Sequence, residues 1–329
     1  MRLKILVFIS LFLLSGLTLY LGDVPWEFVE KGILERFNGS KNDWNPLLDE
    51  RLPRLIVILS AGASLAVSGA VMQALFQNPL ASPSVLGISC GGSLLVVLFY
   101  AFDLHLNHPY AISIAAVFGS FITMIVVYGL SHYGESHRMS NLILSGIAVS
   151  TLLIALQGGI LYALRDNWRL IQTITEWESG STLDRTWIHV HMQLPLALIG
   201  LLGCLYYRKE IDLLALGEEE ALNLGVEVPK VRLRLFICTA FLTGSALAGI
   251  GIIAFFGLVL PHLIRKITGP SNRLLIPYSI FGGSLVLLAM DLTLRFFKIQ
   301  IFTIGNVSAV LGGIFFFILL IHHPRHREC

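Results

Sequence analysis

Charge is the scarcest property of this chain. Only 13% of its 329 residues are Asp, Glu, Lys or Arg, and 23 basic against 21 acidic side chains leave a net charge of +2. That balance is too slight to attract nucleic acid, and the basic residues gather at the ends of apolar segments. Cysteine is also rare. Cys90, Cys204, Cys238 and Cys329 show no CxxC spacing, three lie in or beside apolar segments, and packing is their expected role rather than a metal centre or a disulfide. The sequence contains no GxxxxGK[ST], HExxH or G-x-S-x-G stretch. The chain therefore has no P-loop to cradle nucleotide phosphates, and no catalytic residue is expected. Energy for any coupled process must come from a membrane gradient or from a partner.

Apolar length is what the chain has in abundance, with 55% hydrophobic residues. Leu3–Leu21, Leu55–Phe76, Tyr110–Leu130, Leu142–Leu164 and Leu274–Leu294 each approach the roughly 20 residues a helix needs to cross ~30 Å of hydrocarbon. Asp291 is the only acid or base within them apart from Lys4 at the very start of the first. Further spans are expected near Ile88–Phe102, Ile188–Tyr207 and Ile301–Ile321. The run from Leu235 to Ile264 is too long for one ordinary span, and Gly244, Gly249, Gly251, Gly257 and Pro261 permit it to break.

Arg2 and Lys4 open the chain, and Arg325 and Arg327 close it. The first segment reads as an uncleaved span, because its apolar region is long for a signal peptide and no A-x-A-like site follows. Basic residues beside spans favour the cytoplasm, so both termini are expected inside and the span count even. The expected fold is an all-α polytopic membrane protein of about ten transmembrane helices, a single domain over residues 1–329. This topology puts the segment at about 211–229 in the cytoplasm and the connection Gly22–Pro53 outside. A weak repeat pairs residues 54–76 with 234–256, with identities at 54/234, 55/235, 66/246, 69/249, 74/254 and 76/256. Helices so related run oppositely, as in inverted transporter repeats.

Four stretches carry the candidate chemistry. "RLPRLIVILSAGASLAVSGAVMQALFQNPLASPSVLG" is rich in small residues that let helices approach closely. Ser68, Gly69, Met72 and Gln73 within it are candidates for a water-lined pathway. In "AFFGLVLPHLIRKITG", His262 is expected to bond backbone freed by Pro261. In "WESGS", Trp177 is an interfacial anchor. In "LALGEEEALNLGVEV", Glu218, Glu219 and Glu220 suit the positive end of a short helix, which Gly225 and Pro229 would end.

In this order, "RLPR", "SGAVMQALFQNPLASPSVLG", "GEEEALNLGV", "FFGLVLPHLIRKITG" and "MDLTLR" resemble the FecCD family, the permease subunits of iron-siderophore, haem and vitamin B12 ABC importers. The resemblance covers nearly the whole chain. It departs from the family before the last span, where "IQIFTIGNVSAVLGG" keeps Gly305 but lacks the usual acid and proline.

The resemblance implies a fold like that of the vitamin B12 importer permease. It also implies a second permease subunit and two separate ATPase chains that hold the ATP and Mg, with no cofactor or metal on this chain. The segment Glu218–Gly225, including Ala221 and Leu224, would be the coupling helix that meets an ATPase. Arg51, Arg54 and Arg295 would receive the acids of a substrate-loaded binding protein. The implied cargo is a ferric siderophore, with haem or vitamin B12 as alternatives, carried across a bacterial cytoplasmic membrane. A secondary transporter is the rival reading, since it would use an intramembrane carrier such as Asp291. For that aspartate, Arg295 at i+4 is the expected partner.

Overall fold

A computed structural model describes residues 2–22, 24–37, 44–106, 108–132, 139–299 and 301–321. Arg138, Arg325, Arg327 and Cys329, which bore on topology and thiol pairing, lie outside the described residues. Those described form fourteen α-helices with no strand among them: α1 (Arg2–Tyr20), α2 (Trp26–Phe37), α3 (Leu52–Leu75), α4 (Ile88–Ala101), α5 (Ala111–Leu130), α6 (Met139–Ala163), α7 (Trp168–Glu178), α8 (Trp187–Tyr206), α9 (Arg208–Leu214), α10 (Glu218–Asn223), α11 (Val228–Ile250), α12 (Phe256–Thr268), α13 (Asn272–Phe296) and α14 (Ile304–Ile321).

Six of these are long and apolar enough to span a bilayer: α3 with the turn before it, α5, α6, α8, α11 and α13. Helices α1, α4 and α14 contribute shorter apolar stretches. The long run after Leu235 does break, between α11 and α12. With α12 counted, the architecture matches the expected ten, although its 13 residues reach only about 20 Å at 1.5 Å per residue. Three helices were not expected, α2, α7 and the short α9. Both α2 and α7 are one-sided, with charges interleaved among Trp, Phe, Ile and Leu, and such patterns lie along a surface more readily than they cross hydrocarbon.

Helices α3 and α11 form the centre, packing against each other and against α8, while α13 runs along α3 and α5 along α11. Small residues make the closest of these contacts possible. A Cβ on Gly62 of α3 would stand 2.4 Å from the carbonyl oxygen of Gly283 on α13, so the two backbones touch where no side chain fits. Helix α6 is the opposite case. Leu144, Ile147, Leu152, Ile154, Leu156 and Tyr162 are all exposed, which suits a face turned to lipid or to another protein.

The break Gly251–Phe255 leaves irregular backbone at the depth of the helix centres. Its polar groups find protein partners: Ser181 N–H donates to the Ile250 carbonyl at 2.8 Å, and Ser308 Oγ donates to the Ala254 carbonyl at 2.7 Å. Non-helical backbone survives at that depth only when so satisfied or when it lines a cavity. Gly305 takes part by its smallness, since a Cβ there would lie 2.2 Å from the Ser179 carbonyl oxygen.

Candidate functional site

The sequence candidates fall into three places: a face around Arg54, a cavity beside the helix break, and a face around α10. At the first, Asn45 starts the structure by accepting from Leu47 and Leu48 N–H, at 2.9 and 3.1 Å. The wide turn Pro46–Arg51 then leads into α3 and swings Arg51 inward. Arg51 donates to the carbonyls of Leu19, Tyr20 and Val24, at 3.0, 2.9 and 2.7 Å, and is only 3% exposed. Its charge satisfies orphan carbonyls at the end of α1, the favourable end for a cation. The guanidinium of Arg51, expected at a docking surface, is thus enclosed and committed to these carbonyls.

Arg54 is also inside. Its Nη2 donates to Asp291 Oδ1 at 2.7 Å, and Thr182 Oγ1 donates to the same oxygen at 2.5 Å. Arg295 Nη1 stands 3.9 Å from Asp291 Oδ2, and its Nη2 donates to the Leu21 carbonyl. The near partner of Asp291 is thus Arg54, 237 positions away, and the i+4 pairing with Arg295 is secondary. Arg185 nearby is turned in as well, donating from Nε to the Ser181 carbonyl at 3.1 Å. Burial pushes its guanidinium down to about 10, still protonated at neutral pH. A pocket of about 470 Å³ opens over this network, lined by Arg54, Thr182, Asp291, Arg295 and Lys298 among others. Lys298 is exposed at its rim, and sequence reasoning missed it.

The second place is a cavity of about 410 Å³ between α3, α4, α6, α7 and the break. Its polar lining includes Ser68, Cys90, Ser93, Gln157, Glu178 and Thr243 beside further serines, and Ile252–Phe255 form its irregular wall. Of the four pathway candidates only Ser68 reaches it. Gly69 packs against α12. Pro261 has no N–H to give the Gly257 carbonyl four residues earlier, and that carbonyl oxygen would lie 1.5 Å from a Cβ at position 69. Met72 is fully buried in the core. Gln73 is buried too, donating from Nε2 to the Leu258 carbonyl at 2.9 Å. His262 is not held by backbone as expected but lies edge-on to Phe315, ring centres 5.6 Å apart. Trp177 packs against the cluster around Val96 and Ala248 rather than standing alone at an interface.

The third place is α10. Gly217 leads into the helix with φ +139°, and Gly225 leaves it with φ +84°. Gly225 N–H donates to the Leu222 carbonyl and Val226 N–H to the Ala221 carbonyl, at 2.9 and 3.0 Å, which is a Schellman stop. Pro229 does not end this helix; it stands in the first turn of α11, where a missing N–H costs nothing. Glu218 reaches Arg232 at 2.7 Å, and Ala221 is fully buried beneath. Glu219 and Glu220 face solvent, flanked by exposed Leu216, Leu222 and Leu224. No group of three or more His, Cys, Asp or Glu is gathered for a metal among the described residues.

Comparison with known proteins places this architecture. The chain is 36% identical to the hemin transport system permease protein HmuU of Yersinia pestis, across 89% of this chain and 88% of that protein. It is 32% identical to the Fe(3+) dicitrate transport system permease protein FecD of Escherichia coli strain K12, across 98% and 99%. A solved structure described as an inward-facing conformation of a metal-chelate type ABC transporter superposes with a TM-score of 0.84 at 25% identity, covering 97% of this chain and 99% of that one. The model of the FecCD transport family matches residues 3–322, and the chain belongs to that family.

Proposed function

We propose that this chain is the permease subunit of an ABC importer that carries a ferric siderophore across a bacterial cytoplasmic membrane. It would work as a dimer with itself or a related permease, with two ATPase chains binding ATP and Mg. The single observation that carries the reading is α10 with its flanks: a short helix with a defined stop, presenting Glu219, Glu220 and Leu222 to solvent beside Leu216 and Leu224, in a chain without a P-loop of its own. An exposed apolar patch rimmed by charge is the usual mark of a protein interface. On this reading the α10 face and both termini are cytoplasmic, and the exposed face of α6 borders the second permease.

The opposite face would receive a substrate-loaded binding protein. Lys298, with Arg54 and Arg295 behind it, makes the 470 Å³ pocket basic, and such a field speeds encounter with an acidic partner. Arg51 would support that surface by holding the end of α1. Relatives named for Fe(3+) dicitrate and iron(3+)-hydroxamate transport support an iron chelate as cargo, with haem or vitamin B12 the alternatives, since a vitamin B12 import system permease protein of Vibrio vulnificus is 35% identical. The ion-gradient reading loses its carrier, since Asp291 is held by Arg54 and Thr182.

Reconstitution with the ATPase chains and binding protein in liposomes tests the reading. Uptake of a radiolabelled ferric siderophore is expected only with ATP hydrolysis at the α10 face, and to persist when proton and sodium gradients are collapsed. Uptake that follows a gradient without ATP would overturn it.

A further inference from the structure

A carboxylate stands in the cavity without a cation. Glu178, at the end of α7, accepts through one oxygen from Ser93 Oγ of α4 and from Gln157 Nε2 of α6, the latter at 2.5 Å. Both donors are neutral. No residue lining the cavity is Lys, Arg or His, and among the described residues Glu178 forms no ion pair. The contrast with Asp291 and Glu218 is direct, since each of those carboxylates has an arginine at 2.7 Å. Glu178 is partly buried, and hydrogen bonds offset only part of the cost of drawing a carboxylate out of water. An ionisable group so placed among spanning helices is costly and marks a route or a ligand contact.

The surroundings fit a ligand contact. The volume of about 410 Å³ lies in the range of small-molecule sites, which pair apolar walls with a few placed polar groups. Here Leu65, Ile154, Ile253 and Phe255 provide the apolar part. Low-dielectric walls also focus the field of a lone charge into the space they enclose.

We propose that Glu178 is the counter-charge for a cationic group of the cargo, so that the cavity favours ferric chelates bearing a protonated amine and disfavours those with free carboxylates. The identity of the cargo rests on the import reading above; the charge preference of the cavity does not.

Cys90 lines the same cavity and reports on it directly. The full chain in lipid nanodiscs is treated with two methanethiosulfonates of opposite charge, one ending in trimethylammonium and one in sulfonate. The Cys90 thiolate attacks the sulfenyl sulfur of either reagent, forming a mixed disulfide and releasing methanesulfinate. Rates are read on the Cys90 peptide by mass spectrometry and divided by those of a small free thiol. The cationic reagent is expected to react about tenfold or more faster, a ratio that Glu178→Gln reduces to within about twofold. Glu178→Gln keeps an oxygen for Ser93 and Gln157, and Glu178→Asp should retain the preference, which separates charge from folding. Equal rates in the wild type, an unchanged ratio in Glu178→Gln, or Cys90 inert to both reagents would overturn the proposal.

A second arm addresses cargo. ATP-driven uptake is compared for a ferric trihydroxamate ending in a free amine and for its succinylated derivative, each as the ratio of variant to wild type, so that selection by the binding protein cancels. Glu178→Gln should slow the amine-ended chelate about tenfold relative to the succinylated one; equal slowing of both overturns the assignment of Glu178 to cargo selection. If the wild type imports neither chelate while the Cys90 preference holds, the iron-chelate reading fails and the charged cavity stands.

Discussion

The Arg54 face and the α10 face treat charge in opposite ways. Around Arg54 the ionic groups turn inward: Asp291 is 1% exposed, and Arg51 is committed to the carbonyls that end α1. Within α10, Glu218 is paired with Arg232, while Glu219 and Glu220 stand in solvent beside exposed leucines. The difference teaches that a charged motif and a charged surface are separate things. A short arginine-rich sequence can be scaffold, with Lys298 left to offer charge at the rim, while an acidic run can be mostly surface.

Breaking the buried network should have the largest effect. Asp291→Ala leaves Arg54 enclosed without its counter-ion, an arrangement that costs about 3–5 kcal/mol. Thermal unfolding of the purified chain should show a large loss, and adding Arg54→Met should recover much of it. A single-variant loss no greater than that of an exposed glutamate would erase the contrast between the faces.

Gly69→Ala comes next. Its Cβ would meet the Gly257 carbonyl oxygen at 1.5 Å, so α3 and α12 must separate, and overpacking of this kind costs about 1–3 kcal/mol. The same unfolding assay measures it, and a neutral result would mean that the two helices are not in contact. The smallest effect is expected at the exposed acids. Glu219→Gln should change stability by about 0–1 kcal/mol and leave import near the wild-type rate. A loss comparable with that of Asp291→Ala would show that this charge is not simply at a surface.

The spans were legible because hydrocarbon thickness demands apolar length, and α3, α5, α6, α8 and α13 meet that demand within single continuous runs. The short α2 and α7 were hidden, since one-sided helices have no such length to betray them. The break after α11 could be inferred from its glycines and Pro261, but the partners that make it tolerable, Ser181 and Ser308, come from distant segments. Ion pairing followed the same rule. Arg295 was visible as a partner of Asp291 at i+4, whereas Arg54 required the packing of α3 on α13. The cavity left only fragments in the sequence, Ser68 and the "WESGS" stretch that holds Glu178, because Ser93, Gln157 and Glu178 come from three helices and share no spacing. Of the residues around α10, Gly225 was readable as a helix stop, while the opposite fates of Glu218 and Glu219 depended on where Arg232 lies.

The most direct test of the contrast between scaffold charge and surface charge is Ala221→Pro in the assembled complex. Ala221 is buried, and its N–H donates to the Gly217 carbonyl at 3.0 Å, so proline removes that bond and disrupts the helix at a cost of about 3 kcal/mol. The measurement is ATP hydrolysis stimulated by the loaded binding protein, alongside the affinity for that protein. The account predicts unchanged affinity at the Arg54 face with stimulation and import lost; import at the wild-type rate would contradict it.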